Sequence, residues 1–314
     1  MESMIQALPF DAAKLNGLSE RIVTSHHKNN YGGAVKRLGA IREKLASLDF
    51  AAAPGFMLNG LKREELIAAN SMRLHEVHFD SMGGNGALED GPLKTTLAAA
   101  FGSFERWRAE FVALGKALGG GSGWVLLSWS PREARLVNQW AADHAHALAD
   151  ATALLALDMY EHAYHMDFGA NAGEWVEAFM RNIAWARVAE KFETAVAASA
   201  AAIEVAPRDV AAEAGQFTVI DTRRAPIMPT APTQVRGATW RNPEQVDTWA
   251  KDVKPGALVA VYCVHGHAIS RAVAARLRLH GIDARCVAGG IERWGHEQLP
   301  LEPNRGTADR AQPT

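Results

Sequence analysis

Between Leu18 and Phe50 apolar residues return every three or four positions, with Leu38, Ile41 and Leu45 on one face and basic residues between them, which predicts a helix. A second helical pattern, KREELIAANSMRLHEVHFDSM, runs into Gly83-Gly84, a pair suited to a C-terminal stop. Beyond the polar loop GGNGALEDGP, the stretch PLKTTLAAAFGSFERWRAEFVALGKAL predicts a third helix. The texture then changes. GSGWVLLSWSPREARLVNQWAAD has two apolar or alternating runs about Ser130-Pro131, the pattern of a hairpin, and ATALLALDMYEHAYHMDF reads as a buried strand entering an irregular turn. AGEWVEAFMRNIAWARVAEKFETAVAA has the period of one long amphipathic helix. Helices followed by a small antiparallel sheet predict an α+β domain ending near residue 195.

Past the alanine-rich joint AASAAA, strand-like FTVIDTRR, GALVAVY and DARCV alternate with helix-like segments, which predicts a small parallel α/β domain. The tail NRGTADRAQPT has too little apolar content to build a core and is expected to be disordered.

Composition narrows the functional classes. A chain of 314 residues is long enough for two domains with cores of their own. A net charge of −2 gives no reason to expect nucleic acid as a partner. No apolar run is long enough to span a bilayer, and the start MESMIQALPFDAAKLNGLSE lacks the basic and apolar regions of a secretory signal. Only two cysteines occur, Cys263 and Cys286, so no disulfide framework is expected and a reducing cytoplasm is the natural compartment.

The densest ionisable group lies in LDMYEHAYHMDF, where Asp158 follows an apolar strand and Glu161, His162 and His165 come within seven residues. Burying such groups is costly unless a metal or mutual pairing compensates, although a strand end emerging into solvent reads the same way. His26 and His27, in SHHKNNYGGAV, read better as ordinary surface residues than as ligands when taken alone.

DMYEHAY closely resembles the signature D-x-W-E-H-A-Y of the iron/manganese superoxide dismutases, and further segments of roughly the first 195 residues match in order. These are ALPFDAAKLNGLSERI, SHHKNNYGGAVKRL, AANSMRLHEVHF, FGSFERWRAEF, GSGWVLL and NIAWARVAEKF. The resemblance implies that His26, His75, Asp158 and His162 hold one iron or manganese ion, with His27 a non-ligating neighbour. Such a set leaves a fifth position for water or hydroxide. The ion would cycle between its trivalent and divalent states, turning two superoxides into O₂ and H₂O₂. The resemblance also implies a homodimer, with Glu161 bonding a ligand histidine of the second copy. Trp124 matches an aromatic packed around the metal. His144 matches the residue contacting metal-bound solvent, with His146 close enough to compete for that role; a histidine there favours iron. His78 and Phe79 read as packing.

The chain departs from the family where a histidine and a tyrosine usually gate the substrate: it has Asn30 and Ala34. Tyr160 replaces the tryptophan of the motif, and His165 a tyrosine that reaches across the dimer. We expect Asn30 and His165 to exchange a substitute hydrogen bond and Tyr31 to supply the missing hydroxyl. The alternative is a metal-stabilised dimeric scaffold, or redox sensor, with little dismutase activity.

The C-terminal part resembles a rhodanese domain over about residues 202–303: FTVIDTRR matches its D-x-R strand, QVRGATW its H-I-x-G-A segment and VAGGIERW its closing G-G-x-x-x-W. The resemblance implies that Cys263, at a strand end before a helix, carries a persulfide. The loop Val264, His265, Gly266, His267, Ala268 and Ile269 would cradle it, using backbone N–H groups and the helix N-terminus. Asp221 and Arg223 match structural or substrate-side positions, and Cys286 reads as a buried strand residue. Ile269 stands where serine is common, and His265 and His267 where an arginine or lysine often helps bind thiosulfate, so the sulfur donor, thiosulfate or a persulfide, stays open. The expected segmentation is a dismutase-like helical hairpin (1–92), a dismutase-like α+β metal-binding domain with a three-stranded sheet (93–195), a linker (196–201), an α/β rhodanese-like domain with a parallel sheet (202–303) and a tail (304–314).

Overall fold

A computed structural model of the protein describes residues 4–200 and 203–304, so the expectation for the tail falls, beyond Asn304, outside the described residues. Two compact units are present. The first takes residues up to Leu88, Arg108–Ser128 and Val137–Val188; the second takes Glu89–Trp107, Trp129–Leu136 and the chain from Ala189 onward.

The chain begins with α1 (Glu20–Ser25), α2 (Gly32–Ala46) and α3 (Gly55–Asp80). The Ser19 hydroxyl caps α1 by accepting the Ile22 N–H. Between α1 and α2 the helix does not stop but widens over His26–Tyr31, where the Gly32 N–H reaches back five residues to the His27 carbonyl. On a regular helix His26 and Tyr31 would point roughly 140° apart. The wider turn reduces that angle, and both side chains are buried. Leu38, Ile41 and Leu45 pack against Ala68 and Ala69, making α2 and α3 a hairpin.

Two helices expected as continuous are broken. α4 (Pro92–Phe101) and α5 (Phe104–Ala117) separate at Gly102, whose φ is +91°, and Ser103 accepts the Arg106 N–H to start the new helix. β1 (Trp124–Ser130), β2 (Arg135–Ala141) and β3 (Thr152–Asp158) form a three-stranded sheet in the order β2-β1-β3, with every residue of the central strand buried. After α6 (His165–Phe168), the long amphipathic stretch divides into α7 (Ala172–Arg181) and α8 (Trp185–Ala200). The break falls at Asn182, whose side chain bonds both the N–H and the carbonyl of Asn16, in place of a helix continuing through Ile183. α8 extends to Ala200, across most of the stretch expected to be a linker.

The second unit continues with β4 (Glu204–Val205), α9 (Pro207–Ala212), β5 (Thr218–Asp221), β6 (Thr233–Val235), β7 (Thr239–Trp240), α10 (Val246–Trp249), β8 (Leu258–Tyr262), α11 (Ala268–Leu279), β9 (Asp283–Val287), α12 (Gly290–His296) and β10 (Leu301–Pro303). Five strands pair in parallel in the order β4-β9-β8-β5-β7. Alternate residues of β8 serve opposite cores: Val259 and Val261 meet Val273 and Leu277 of α11, while Ala260 and Tyr262 join Val219 and Trp294. This alternation explains the unbroken apolar run of β8.

Gly290, at φ +57°, backs the chain segment after β8: a Cβ there would lie 2.4 Å from the Cys263 carbonyl oxygen and 2.5 Å from that of Val264. Gly290→Ala should therefore cost about 2 kcal/mol or more, from left-handed strain and overlap together. Gly295→Ala, which meets open space on the same helix, should cost nothing. Urea denaturation of the two variants checks this.

Candidate metal centre and thiol loop

Four elements bring the candidate ligands together. His26 opens the widened turn, His75 lies on α3, Asp158 ends β3, and His162 sits in the turn that follows. Their ligand-capable atoms all lie within 4.8 Å of one another. Asp158 is fully buried, and its Oδ2 stands 3.0 Å from His26 Nε2, 3.2 Å from His162 Nε2 and 3.5 Å from His75 Nε2. Its Oδ1 accepts the Tyr160 N–H at 2.8 Å, and its carbonyl accepts Trp175 Nε1–H at 2.8 Å.

This donor set fits a cation. His75 Nδ1 lies 2.7 Å from the Ser71 carbonyl, which can only accept, so the ring proton is on Nδ1 and Nε2 carries a lone pair. That lone pair faces a carboxylate oxygen and has no hydrogen-bond partner. Protonation does not relieve the conflict, because burial, with His26 close by, holds His75 well below the ordinary histidine range. Burial also lowers His26 against the pull of Asp158. For Asp158, burial works to raise the pKa, but hydrogen bonds from His162 and His26 override it and hold the carboxyl well below the usual range. The His75 lone pair and the Asp158 carboxylate face each other with no proton between them, an arrangement that suits a metal ion. To such an ion His26 and His162 would turn their Nε2 atoms on giving up the hydrogen bonds to Asp158.

Around this group, Trp124 is buried and its Nε1–H donates to His144 Nδ1 at 3.0 Å. The His144 ring stacks on Tyr160 with centroids 4.8 Å apart and lies 6.2 Å from that of His75. His146 instead is exposed and paired with Asp143. His78 donates to the Ala156 carbonyl and stacks on Phe179, and Phe79 is packed against His26. Glu161 and His165 are exposed, and Asn30 is half-buried. Ala34 is buried. Tyr31, also buried, accepts the Gln6 N–H at 2.9 Å and donates to Glu76 at 3.0 Å, a different use of its hydroxyl from the expected gate. His27 bonds the Gln6 carbonyl at 2.8 Å.

In the second unit the chain leaves β8 at Cys263, turns through Gly266 at φ +68°, and starts α11 at Ala268. N–H groups of Ile291 and Glu292 hold the Cys263 and Val264 carbonyls at 3.0 and 3.1 Å. Cys263 and Ile269 are buried, whereas His265 and His267 are exposed with rings 5.6 Å apart. His265 meets Glu292 at 2.9 Å, and the Ala268 N–H donates to Glu193 at 3.1 Å. Asp221 and Arg223 form a buried ion pair at 2.6 Å; Asp221 also accepts from the Tyr262 hydroxyl, and Arg223 donates to the Thr233 carbonyl. Sequence reasoning missed Ser71, Trp175 and Ser270. Ser71 lies one helical turn before His75, a spacing that could have pointed to its carbonyl.

Residues 89–191 match the C-terminal domain of iron/manganese superoxide dismutases. The chain is 66% identical over 192 residues to an iron superoxide dismutase of Cupriavidus metallidurans, covering 61% of this chain and 97% of that protein. It is 33% identical over 201 residues to a manganese superoxide dismutase of Halobacterium salinarum (61% and 96% covered). With an iron superoxide dismutase of Aquifex pyrophilus it shares 31% over 192 residues (59% and 88% covered). The chain belongs to the iron/manganese superoxide dismutase family, a superoxide-consuming class of oxidoreductases whose metal is iron or manganese.

The buried histidines set a pH dependence. Burial lowers His78 to about 3, whereas in the unfolded chain it titrates near 6.5. Below 6.5 the unfolded state therefore binds more protons. Stability that is full at neutral pH should fall on acidification toward 3, by up to about 1.4 kcal/mol per pH unit for this histidine. Urea midpoints of chelator-treated protein between pH 7 and 4 should drop accordingly, with a shallower slope in His78→Asn.

Proposed function

We propose that the chain dismutates superoxide at His26, His75, Asp158 and His162 with one iron ion. We further propose that it acts as a homodimer through the face carrying Glu161 and His165, and that Cys263 carries sulfur in a rhodanese-type transfer. The observation that carries the first part is the convergence of three Nε2 atoms on one buried carboxylate oxygen. The 66% identity to an iron enzyme, against 33% to a manganese one, favours iron. Bound by these four groups, the metal supplies one-electron oxidation and reduction of superoxide.

The chain's residues do the rest. The Ser71 carbonyl fixes the tautomer and ring direction of His75. Trp124 occupies His144 Nδ1, so the proton of neutral His144 sits on Nε2, where it can be donated to the oxygen species that must take up two protons. Burial keeps that ring neutral. Exposure of Glu161, His165 and Met166 on one short segment supports an interface there, across which Asn30 and His165 would exchange a hydrogen bond.

For the thiol, the supports are the strand-to-helix loop, its glycine turn, the exposed His265 and His267 within that loop and the position of Cys263 just before the N-terminus of α11. The Cys263 thiolate attacks the outer sulfur of thiosulfate, forming the S–S bond of a persulfide and releasing sulfite. An acceptor thiolate or cyanide then takes that sulfur and restores the Cys263 thiolate. Both cysteines are free thiols, the state a reducing compartment maintains.

Purified full-length protein should carry about one metal per chain. His26→Ala should reduce metal content and dismutation at least about tenfold. Loaded wild type no faster than that variant would leave a metal-stabilised scaffold as the better reading. Cys263→Ser should abolish thiosulfate-to-cyanide sulfur transfer and leave dismutation unchanged.

A further inference from the structure

Building on the reading of Cys263 as a sulfur carrier, the structure points to the groups that set its charge. Cys286 faces Val261 in the parallel register of β8 and β9, and Cys263, two residues beyond Val261, returns to the same side of the sheet. Ser270, in the first turn of α11 and fully buried, lies between the two sulfurs. Its Oγ is 3.2 Å from Cys263 Sγ, 3.3 Å from Cys286 Sγ and 3.3 Å from the His267 carbonyl oxygen. One hydroxyl thus serves both cysteines of the chain.

We propose that Ser270 is the proton switch of Cys263 and that Cys286 is the positioning residue behind it. In the thiol state Cys263 S–H donates to Ser270 Oγ, and the Ser270 hydroxyl donates to the His267 carbonyl. When the thiol gives its proton to solvent, the Ser270 hydroxyl turns onto the thiolate, and Cys286 S–H donates to the Ser270 oxygen. The same bond then serves the sulfur anion of the persulfide. Two features support the assignment. Burial pushes the Cys286 thiol up to about 12, so it remains a donor at neutral pH. Its other acceptors, the carbonyls of Gly266 and Val287, are farther away at 3.7 and 3.8 Å.

The charged groups around the thiol are otherwise engaged with one another. Arg271 of α11 pairs with Glu204 at 2.6 Å, and His265 pairs with Glu292 at 2.9 Å. Glu193 takes the Ala268 N–H, and His267 is exposed at the mouth of the loop.

The test is the pH profile of Cys263 alkylation by iodoacetamide in the full-length protein, with mass spectrometry separating labelled Cys263 from Cys286. Ser270→Ala should move the midpoint up by about one pH unit, the size expected for a lost hydrogen bond to a charged group. Ser270→Thr should restore it. Cys286→Ala should raise the midpoint by a smaller amount, and Cys286→Ser, which keeps a donor, should stay with wild type. A folded Ser270→Ala protein with the wild-type profile overturns the proposal. If that variant fails to fold, equal midpoints for Cys286→Ala and Cys286→Ser overturn it instead. Sulfur transfer from thiosulfate to cyanide is scored separately: a wild type with the expected profiles but no transfer sinks the sulfurtransferase reading and leaves the Ser270 switch standing.

Discussion

A single buried carboxylate organises the first unit. Asp158 keeps its charge at the end of β3 with no exposure to water, and an anion there must be surrounded by donors or a cation. Its oxygens and carbonyl draw in the Tyr160 amide, the Trp175 indole and three imidazoles from separate elements. The widened turn after α1, the long α3, α7 and the break after β3 are the local features that deliver these groups to one point. Each has a cost on its own, in helix regularity or in polar burial, and the shared site is what repays them.

On the proposed reading of Cys263, the second unit meets a related problem with sulfur. A thiol at a strand end is inert in an apolar core and reactive only where donors meet its anion. Here the loop is held from behind, by the Ile291 and Glu292 amides on the Cys263 and Val264 carbonyls. Gly290 makes that close approach possible because any Cβ would collide with those carbonyls. The charged Asp221 and Arg223 neutralise each other, buried at the end of β5.

Periodicity made most of the architecture legible: the α2–α3 hairpin, the three-stranded sheet and the alternation of strands and helices in the second unit all appear as pattern. The two missed helix breaks do not, because Gly102 and Asn182 sit inside apolar periods that continue across them, and Asn182 acts through Asn16, which is remote in sequence. The candidate ligands were legible through motif order rather than through any one histidine. His144, which the sequence resemblance already preferred, is set apart from His146 in three dimensions by the Trp124 indole and the Tyr160 stack, whereas His146 is exposed and pairs with Asp143. Ser270 was invisible because its role depends on the strand register that sets Cys286 beside Cys263.

The altered gate is the point where local geometry speaks most directly to chemistry. Ala34 and Asn30 leave the first helix without the usual tyrosine and histidine, yet Tyr31 lies buried in the same turn. Its hydroxyl bridges the N-terminal segment, through Gln6, and α3, through Glu76, the residue next to His75. His27, the neighbour of His26, is tied to the same Gln6. The aromatic therefore works as a clamp: it ties the turn carrying one candidate ligand, His26, to the helix carrying another, His75. Burial raises the Tyr31 pKa and the Glu76 carboxylate that accepts its proton raises it too, against the Gln6 N–H that works to lower it, so the hydroxyl gives up its proton reluctantly. His144 lies beside the candidate ligands, and with the Trp124 indole on its Nδ1 the Nε2 edge is the one left to carry the proton of the neutral ring, which makes it a better-placed donor than Tyr31 under the proposed dismutation.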